Sequence, residues 1–131
     1  MYSLTTYQRN LVWKDDISLW TDNVKKAPMN ARAYQYLGLA YHHVQDLDNA
    51  ILQYKKSLSL DPLQPDVHNN MGISYFCKGE VDIAISHFKH ALSINPSHAD
   101  AHYNLGIAYG EKGFIDLAQE EMRKGMQLPR R

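Results

Sequence analysis

The amino-acid sequence predicts an all-α fold, a right-handed α-solenoid built from antiparallel helix pairs. The first observation is a motif that recurs at a constant interval of 34 residues: LGLAY at 37–41, MGISY at 71–75 and LGIAY at 105–109. The second is that each interval holds two stretches with apolar residues at helical spacing, separated by a short polar break. A constant period of about 20–50 residues is the signature of stacked repeats.

The composition agrees with one packed domain and argues against several functional classes. The chain has 131 residues, of which 44% are hydrophobic and 11% aromatic. Fourteen basic and fourteen acidic side chains give a net charge of zero, so nothing attracts the whole chain to nucleic acid or to an acidic membrane. The single cysteine, Cys77, cannot form an internal disulfide. No apolar run approaches the roughly 18 residues of a membrane-spanning helix.

Three full repeats are expected in one continuous domain, at 31–64, 65–98 and 99–131, after an incomplete N-terminal repeat or capping helix at 1–30. Aligned at the interval, the repeats share columns of small, aromatic and large apolar residues. These columns are Gly38, Gly72 and Gly106; Tyr41, Tyr75 and Tyr109; Ala50, Ala84 and Ala118; and Tyr54, Phe88 and Met122.

Each repeat is predicted to contain two helices with recognisable ends. In the first repeat these are ARAYQYLGLAYHHV and LDNAILQYKKSLSL, and Pro62 stops the second. The later breaks contain Gly79 and Gly113, which are expected to take the left-handed conformation after a helix end. Asp48 and its equivalents should lie near the positive ends of the second helices.

The repeated glycine of LGLAY lies inside a helix, where it costs roughly 1 kcal/mol relative to alanine. We expect close helix packing to offset this cost. The first helix of each pair should cross the second where an alanine, such as Ala50, presents almost no side chain. The tyrosine one turn later, such as Tyr41, is expected to fill the wedge beside the crossing.

The two ends depart from the repeat pattern. The stretch DDISLWTDNVKKAP aligns with a second helix and is predicted to be capped by Asp15 or Asp16, with residues 2–11 a short helix or a lead-in. Trp13 and Trp20 are expected to cover the open side of the first repeat, rather than to form a ligand platform. At the other end Gln119 replaces an isoleucine, which suits contact with water; the piece is either cut from a longer chain or closes its end by pairing.

With these positions in place, the chain resembles the tetratricopeptide repeat (TPR) family over about 31–129. The family's large residue, Leu-Gly, Tyr, Ala, Phe, Ala and Pro pattern appears in all three repeats, with histidine at the large position in the later two. It reads Tyr34, Leu37, Gly38, Tyr41, Ala50, Tyr54, Ser57, Pro62; His68, Met71, Gly72, Tyr75, Ala84, Phe88, Ala91, Pro96; and His102, Leu105, Gly106, Tyr109, Ala118, Met122, Gly125. The resemblance implies a module that binds proteins.

The N-terminal run TYQRNLVWKDDISLW is similar to a junction in multi-spanning membrane proteins of the glycosyltransferase type. There, such a segment leads from the last membrane span into a soluble TPR tail. This second resemblance implies an accessory tail of a larger bacterial protein, on either side of the membrane. The compartment itself is left open.

No catalytic constellation is found, so we predict a protein that is not an enzyme and needs no cofactor. Phosphate-loop, dinucleotide, nucleophile-elbow and zinc-protease motifs are all missing from the sequence. Two histidine pairs, His87 with His90 and His98 with His102, have spacings that can bring imidazoles together. Zinc needs a third or fourth ligand that cannot be placed, so no metal site is predicted.

Stacked repeats create a concave groove lined by their first helices, and this groove is the predicted binding site for a protein or peptide. Self-association through uncapped ends is an alternative, with a homo-oligomer as the result. The predicted groove residues are Arg32, Gln35, Tyr36, Leu39, His42, His43, Asp66, Asn69, Asn70, Ile73, Phe76, Asp100, Tyr103, Asn104, Ile107 and Glu111.

Two asparagines in this groove carry a further resemblance. Asn70 and Asn104 match an asparagine ladder that grips peptide backbone in O-linked glucosaminyl transferases, although Tyr36 breaks the ladder in the first repeat. Other family members clamp acidic C-terminal tails with lysines and an arginine. Here Gln35, Asp66 and Asp100 stand along the groove instead, so we predict that acidic tails are not bound in that way.

Overall fold

The computed structural model describes residues 4–129, and these form seven α-helices and no strand. The predicted all-α fold is therefore confirmed. No helix in the described part of the chain has the length and apolar character needed to cross a bilayer. The helices are α1 (Leu4–Lys26), α2 (Ala31–His43), α3 (Leu47–Leu60), α4 (Pro65–Cys77), α5 (Val81–Ile94), α6 (Ala99–Glu111) and α7 (Ile115–Gln127).

The helices fall into two compact units. Unit 1 is Met1–Pro62 and unit 2 is Leu63–Arg131. In unit 1, α2 packs along α3, and α1 packs against α2. In unit 2, α4 pairs with α5 and α6 pairs with α7, while α6 also contacts both α5 and α4. The division into three repeats and a partial one, and the right-handed winding, stay predictions.

The paired helices run antiparallel. In unit 1 the Ser57 hydroxyl, near the end of α3, donates a 2.7 Å hydrogen bond to the carbonyl of Ala31 at the start of α2. In unit 2, Gly125 near the end of α7 lies against the Ala99 carbonyl at the start of α6. These contacts between opposite helix ends require antiparallel pairs, as the sequence predicts.

The interior glycines lie at close helix crossings, which confirms the predicted close approach. A Cβ added at Gly38 would lie 2.6 Å from the ring of Tyr54, and one at Gly106 would lie 2.6 Å from Met122 Cγ. The group facing each glycine is therefore the large apolar residue of the second helix. The repeated alanine of the second helix faces the glycine through its backbone. The Ala50 carbonyl oxygen lies 3.1 Å from the added Cβ at Gly38.

The sharp breaks inside the helix pairs use the left-handed backbone region. Gly79 and Gly113 have φ values of 84° and 83°, as the sequence predicts. Gln45 occupies the same place in the first pair with a φ of 65°. A residue with a Cβ pays a steric cost of about 1 kcal/mol or more in this region, so this turn is the most strained of the three.

The N-terminal prediction was wrong in one respect. Residues 4–26 form a single helix of 23 residues, so Asp15 and Asp16 lie in its interior and cap nothing. The physical reason is that no glycine or proline interrupts this stretch before Pro28. The cap that the sequence reading missed is Asn30, whose side chain accepts bonds from the backbone N–H groups of Arg32 and Ala33 at the start of α2.

Replacing Tyr54 by phenylalanine is expected to stabilise the chain. The Tyr54 side chain is fully buried, and its hydroxyl has no hydrogen-bond partner among the described residues. Burial raises the pKa of this phenol far above its usual value. Because an unpaired buried hydroxyl costs about 1–3 kcal/mol, and Phe88 fills the equivalent place in the next pair, Tyr54→Phe should raise the free energy of urea unfolding by about 1 kcal/mol.

The matched control is Tyr36→Phe, which removes a hydroxyl from a side chain that is 39% exposed. This change should leave the free energy of unfolding within about 0.5 kcal/mol of its starting value. A Tyr54→Phe variant that unfolds at lower urea would show that the hydroxyl is bonded in the native protein.

Candidate functional site

The candidate site lies on unit 2, where α4 and α6, the first helices of successive pairs, are in contact. An apolar cavity of about 70 Å³ opens there, lined by Ile73, Phe76, Phe88, Asn104 and Ile107. A larger depression of about 630 Å³ runs along α1, but residues of that single helix alone line it. It is an open surface, so the smaller cavity is the better candidate.

Helical spacing explains how the cavity is lined. Ile73 and Phe76 are three residues apart on α4, and Asn104 and Ile107 are three apart on α6, so each pair shares one helix face. The structure thus brings together these four predicted groove residues. We call the surface they form the α4/α6 face.

Phe88 is the cavity residue that the sequence reading missed. It belongs to the column of large apolar residues, which predicts packing, and it is indeed only 1% exposed. Its ring lies against Gly72, packs in one core cluster with Leu105 and Ala108, and still lines the cavity. The glycine spacing was the available signal, because a missing side chain on α4 lets a large side chain from α5 approach.

The amide groups of two asparagines join α4 to α6 beside the cavity. Asn104 Nδ2 donates a 3.0 Å hydrogen bond to Asn69 Oδ1, and Asn69 is only 6% exposed. Asn69 is therefore an inter-helix contact rather than groove lining. The bond fixes the orientation of the Asn104 amide, which keeps a carbonyl oxygen with acceptor capacity. Of the two predicted ladder residues, only Asn104 lines the cavity; Asn70 is half-buried outside it.

Asp66 and Asp100 line a second and more polar space, a cleft of about 310 Å³ at the N-terminal ends of α4 and α6. We call it the acidic cleft. Asp66 is largely exposed, at 72% of its side chain. The full lining is Pro65, Asp66, Asn95, Ser97, His98, Ala99, Asp100 and Pro129.

His98 is the cleft residue whose role the sequence reading missed. Its Nδ1 accepts a 3.1 Å bond from the backbone N–H of Ala101, which caps α6. Its Nε2 lies 2.7 Å from Asp66 Oδ1. His98 therefore links the start of α6 to the Asp66 carboxylate on α4.

The remaining histidines of unit 2 are structural. His102, 9% exposed, places Nδ1 2.6 Å from Glu121 Oε2 and Nε2 2.8 Å from the Pro96 carbonyl oxygen. His68 stacks with His87 and His90. Nowhere in the described residues do three or more histidine, cysteine or carboxylate side chains form a cluster that fits a metal ion.

In unit 1, α1 covers some of the predicted groove residues. Trp13 stacks on His43 with ring centroids 3.9 Å apart, and Trp20 stacks on Tyr36 at 4.8 Å. Both tryptophans thus cover the side of α2, as predicted. Tyr36 and His43 therefore pack against α1, and these stacked ring faces are not open to a ligand. Burial, and then the neighbouring His43, lowers the pKa of His42.

The other predicted groove residues stand outside the apolar cavity. Arg32 is exposed on α2, and Gln35 and Leu39 are half-buried there. On α6, Tyr103 and Glu111 are exposed.

Comparison with known proteins agrees with this architecture. A TPR repeat family model matches residues 44–79 and 74–113, and a second tetratricopeptide repeat model matches 99–131. No curated protein matches the chain.

Among solved structures, a crystal structure of MamA is 28% identical with a TM-score of 0.82, and the match covers 88% of this chain and 67% of that one. A second MamA crystal structure is 28% identical with a TM-score of 0.80, covering 88% and 63%. The first TPR of Spaghetti (RPAP3), bound to an HSP90 peptide, is 23% identical with a TM-score of 0.73, covering 75% and 78%. This last likeness concerns the fold.

The helix pairs, the glycine crossings and the matched models, which together span most of the chain, lead to one conclusion: this protein belongs to the tetratricopeptide repeat family.

Proposed function

We propose that this chain is a non-enzymatic module that binds an extended segment of a partner protein on the α4/α6 face. The observation that carries the proposal is the apolar cavity formed by Ile73, Phe76, Phe88 and Ile107, with the oriented amide of Asn104 in its lining. Apolar cavities with a few well-placed polar groups are typical ligand sites.

The chemistry of the cavity suits one aliphatic side chain and the peptide group beside it. A volume of about 70 Å³ holds roughly two waters, and apolar walls bond such waters poorly. Displacing them with an aliphatic group is favourable, and a fully buried leucine contributes about 1.5–3 kcal/mol. The Asn104 carbonyl oxygen can accept a hydrogen bond from the backbone N–H of the same segment.

The relatives support a binding role. A TPR of Spaghetti (RPAP3) that shares this fold has been solved with the HSP90 peptide SRMEEVD, and so has its second TPR. The described residues contain no cluster of metal-ligating side chains, and the sequence contains none of the common catalytic motifs.

Two finer roles remain open proposals. The junction-like N-terminal sequence favours a TPR tail attached to a membrane-bound transferase, which apolar spans upstream in the parent reading frame would support. Gln119, which stands where the first two repeats have isoleucine, favours self-association through the end of the array, and mass measurement by light scattering over a wide concentration range would detect it. Both roles are compatible with peptide binding on the α4/α6 face.

The test selects peptides from a random displayed library on the purified chain, and then measures the selected peptides against variants. Ile107→Ser and Asn104→Ala should each weaken binding by tenfold or more, with helical content unchanged by circular dichroism. Ile83→Ser is the matched control, because this isoleucine is exposed on α5 and does not line the cavity. Selected peptides that bind all three variants equally would place the site elsewhere and refute the proposal.

A further inference from the structure

We infer that α7 pairs side by side and antiparallel with α7 of a second copy of this chain, which makes a symmetric dimer. The contact surface is the row of Ile115, Gln119, Met122 and Met126, which we call the α7 stripe. The inference does not depend on peptide binding by the α4/α6 face. It gives the proposed self-association through the end of the array a surface and a geometry.

The α7 stripe has the spacing of a helix-pairing seam. Its four residues follow one another at intervals of four, three and four, which places them on one side of the helix at the a and d positions of a heptad. Ile115 is 56% exposed and Met126 is 75% exposed, while Met122 is half-buried and Gln119 is exposed. Large apolar side chains in such a row on a helix surface indicate an interaction site.

The same positions on α5 show that this stripe is a helix-contact surface. The residues 34 places earlier include Val81, Ile85 and Leu92, and all three pack against the core cluster that contains Leu105 and Ala108 of α6. A second helix thus covers on α5 what is exposed on α7.

The helix that covers α5 runs antiparallel to it. Lys112, directly after the end of α6, places Nζ 3.0 Å from Asp82 Oδ1 at the start of α5. Asp116 is the residue of α7 that corresponds to Asp82. A helix that covers the α7 stripe in the same orientation therefore needs a basic group near Asp116.

α7 itself carries the charge that answers Asp116. Asp116 and Arg123 each follow a stripe residue by one position, so they flank the same edge of the stripe, two turns apart. Both are exposed, and neither forms an ion pair with another residue in the described part of the chain. In an antiparallel pair, Asp116 of each copy faces Arg123 of the other, so the contact forms twice. A parallel pair would place like charges side by side, and such flanking charges set the orientation of paired helices.

The polar member of the stripe also favours a second copy as the occupant. With Ile115 beside Met126 of the second copy, Gln119 lies beside Met122 and close to the twofold axis. The two Gln119 amides then lie near each other, and each supplies a donor and an acceptor. An apolar helix surface would leave the amide buried without a partner, which is costly. A symmetric contact in which each residue meets its counterpart is the usual form of a homodimer.

The dimer is expected to be weak. Each copy contributes one helix of 13 residues, and such a contact is smaller than the roughly 1,200–2,000 Å² of stable interfaces. Association should therefore appear at concentrations of about 10–500 µM, where sedimentation equilibrium and the concentration dependence of amide chemical shifts in NMR measure it.

The first test removes one apolar contact. Ile115→Ser should weaken dimerisation by about tenfold or more, because the isoleucine loses its burial against Met126 of the second copy. Leu117→Ser is the matched control, since Leu117 is 46% exposed on the same helix and lies off the stripe. It should leave the dimer unchanged. Circular dichroism checks that both variants keep their helical content.

The second test reverses charges and then mixes the variants. Asp116→Arg and Arg123→Asp should each dimerise about tenfold more weakly or worse, because like charges then face each other twice. An equal mixture of the two variants should dimerise like the native chain, because every facing pair is again of opposite sign. Asp22→Arg, on the exposed surface of α1, changes the net charge by the same amount as Asp116→Arg and should have no effect.

Two results would overturn the inference. A native chain that stays monomeric at about 500 µM would leave the stripe to a helix of another protein. Single charge variants that dimerise like the native chain, with nothing gained on mixing, would place the dimer contact on another surface. Neither result bears on the proposed function, which the peptide selection and Ile107→Ser decide separately.

Discussion

Replacing Gly72 by leucine is expected to unfold unit 2, with a loss of about 3 kcal/mol or more in the free energy of unfolding. A Cβ at this position would lie 2.7 Å from Phe88 Cδ1 and closer still to Cε1. Phe88 is 1% exposed and packs with Leu105 and Ala108, so its ring can move only into the cavity of about 70 Å³ that it lines. Overpacking of this kind forces side chains off their rotamers and shifts the backbone.

Urea unfolding and hydrogen exchange of α4 and α5 measure this effect. Because Phe88 also lines the cavity, the variant should lose peptide binding at temperatures where it is still partly folded. The matched control is Gly110→Ala in α6, where the nearest atom to the added Cβ is 4.0 Å away. That change should stabilise the chain by about 0.5–1 kcal/mol, the usual gain over an interior helix glycine. A Gly72→Leu protein with unchanged stability would mean that the helix crossing is described wrongly.

The second large effect is expected from His102→Ala, which should cost about 2–4 kcal/mol. Both ring nitrogens of His102 face acceptors, the Glu121 carboxylate and the Pro96 carbonyl. The alanine variant leaves these two acceptors without their partner. Glu121 is only 14% exposed and keeps a single contact with Lys124 at 3.3 Å. A buried acceptor that loses its hydrogen-bond partner costs about 1–3 kcal/mol, and more when the acceptor is charged.

Two controls distinguish a lost bond from lost volume. Asp22→Asn removes an exposed ion pair with Lys26, in which the side chains are 60% and 75% exposed, and should change stability by less than about 0.5 kcal/mol. The double variant His102→Ala with Glu121→Ala should be less destabilised than the sum of its parts, because no unpaired carboxylate remains. Additive losses in thermal or urea unfolding would contradict a coupled pair.

Much of the candidate site could be predicted before any coordinates. Ile73, Phe76, Asn104 and Ile107 follow from helical spacing once the first helices of a repeat array are assigned to its binding side. Phe88 could not be placed there, since a residue in the large apolar column reads as core. Asn69 was predicted to line the groove for a related reason. Helical spacing gives the direction of a side chain, but it does not show that a neighbouring helix already fills the space there. Here Asn104 of α6 lies against Asn69 and bonds it.

At the N-terminus the sequence reading failed because local signals were ambiguous. Asp15 and Asp16 resemble helix caps, but a cap requires the preceding chain to leave the helix. Without glycine or proline, residues 4–26 continue as one helix. The prediction that Trp13 and Trp20 cover the first repeat was correct. The residues on which they stack, His43 and Tyr36, are known only from the structure.

The sequence by itself determined the all-α fold, the helix pairs and the glycine crossings, because a repeated interval and helical periodicity are local properties of the chain. Only the tertiary structure decided that Phe88 lines the cavity, that Asn69 is bonded to Asn104, and that His98 contacts Asp66. Those facts depend on which side chains from different helices are in contact. Such residues are far apart in the sequence, so local sequence patterns do not show that they are close in space.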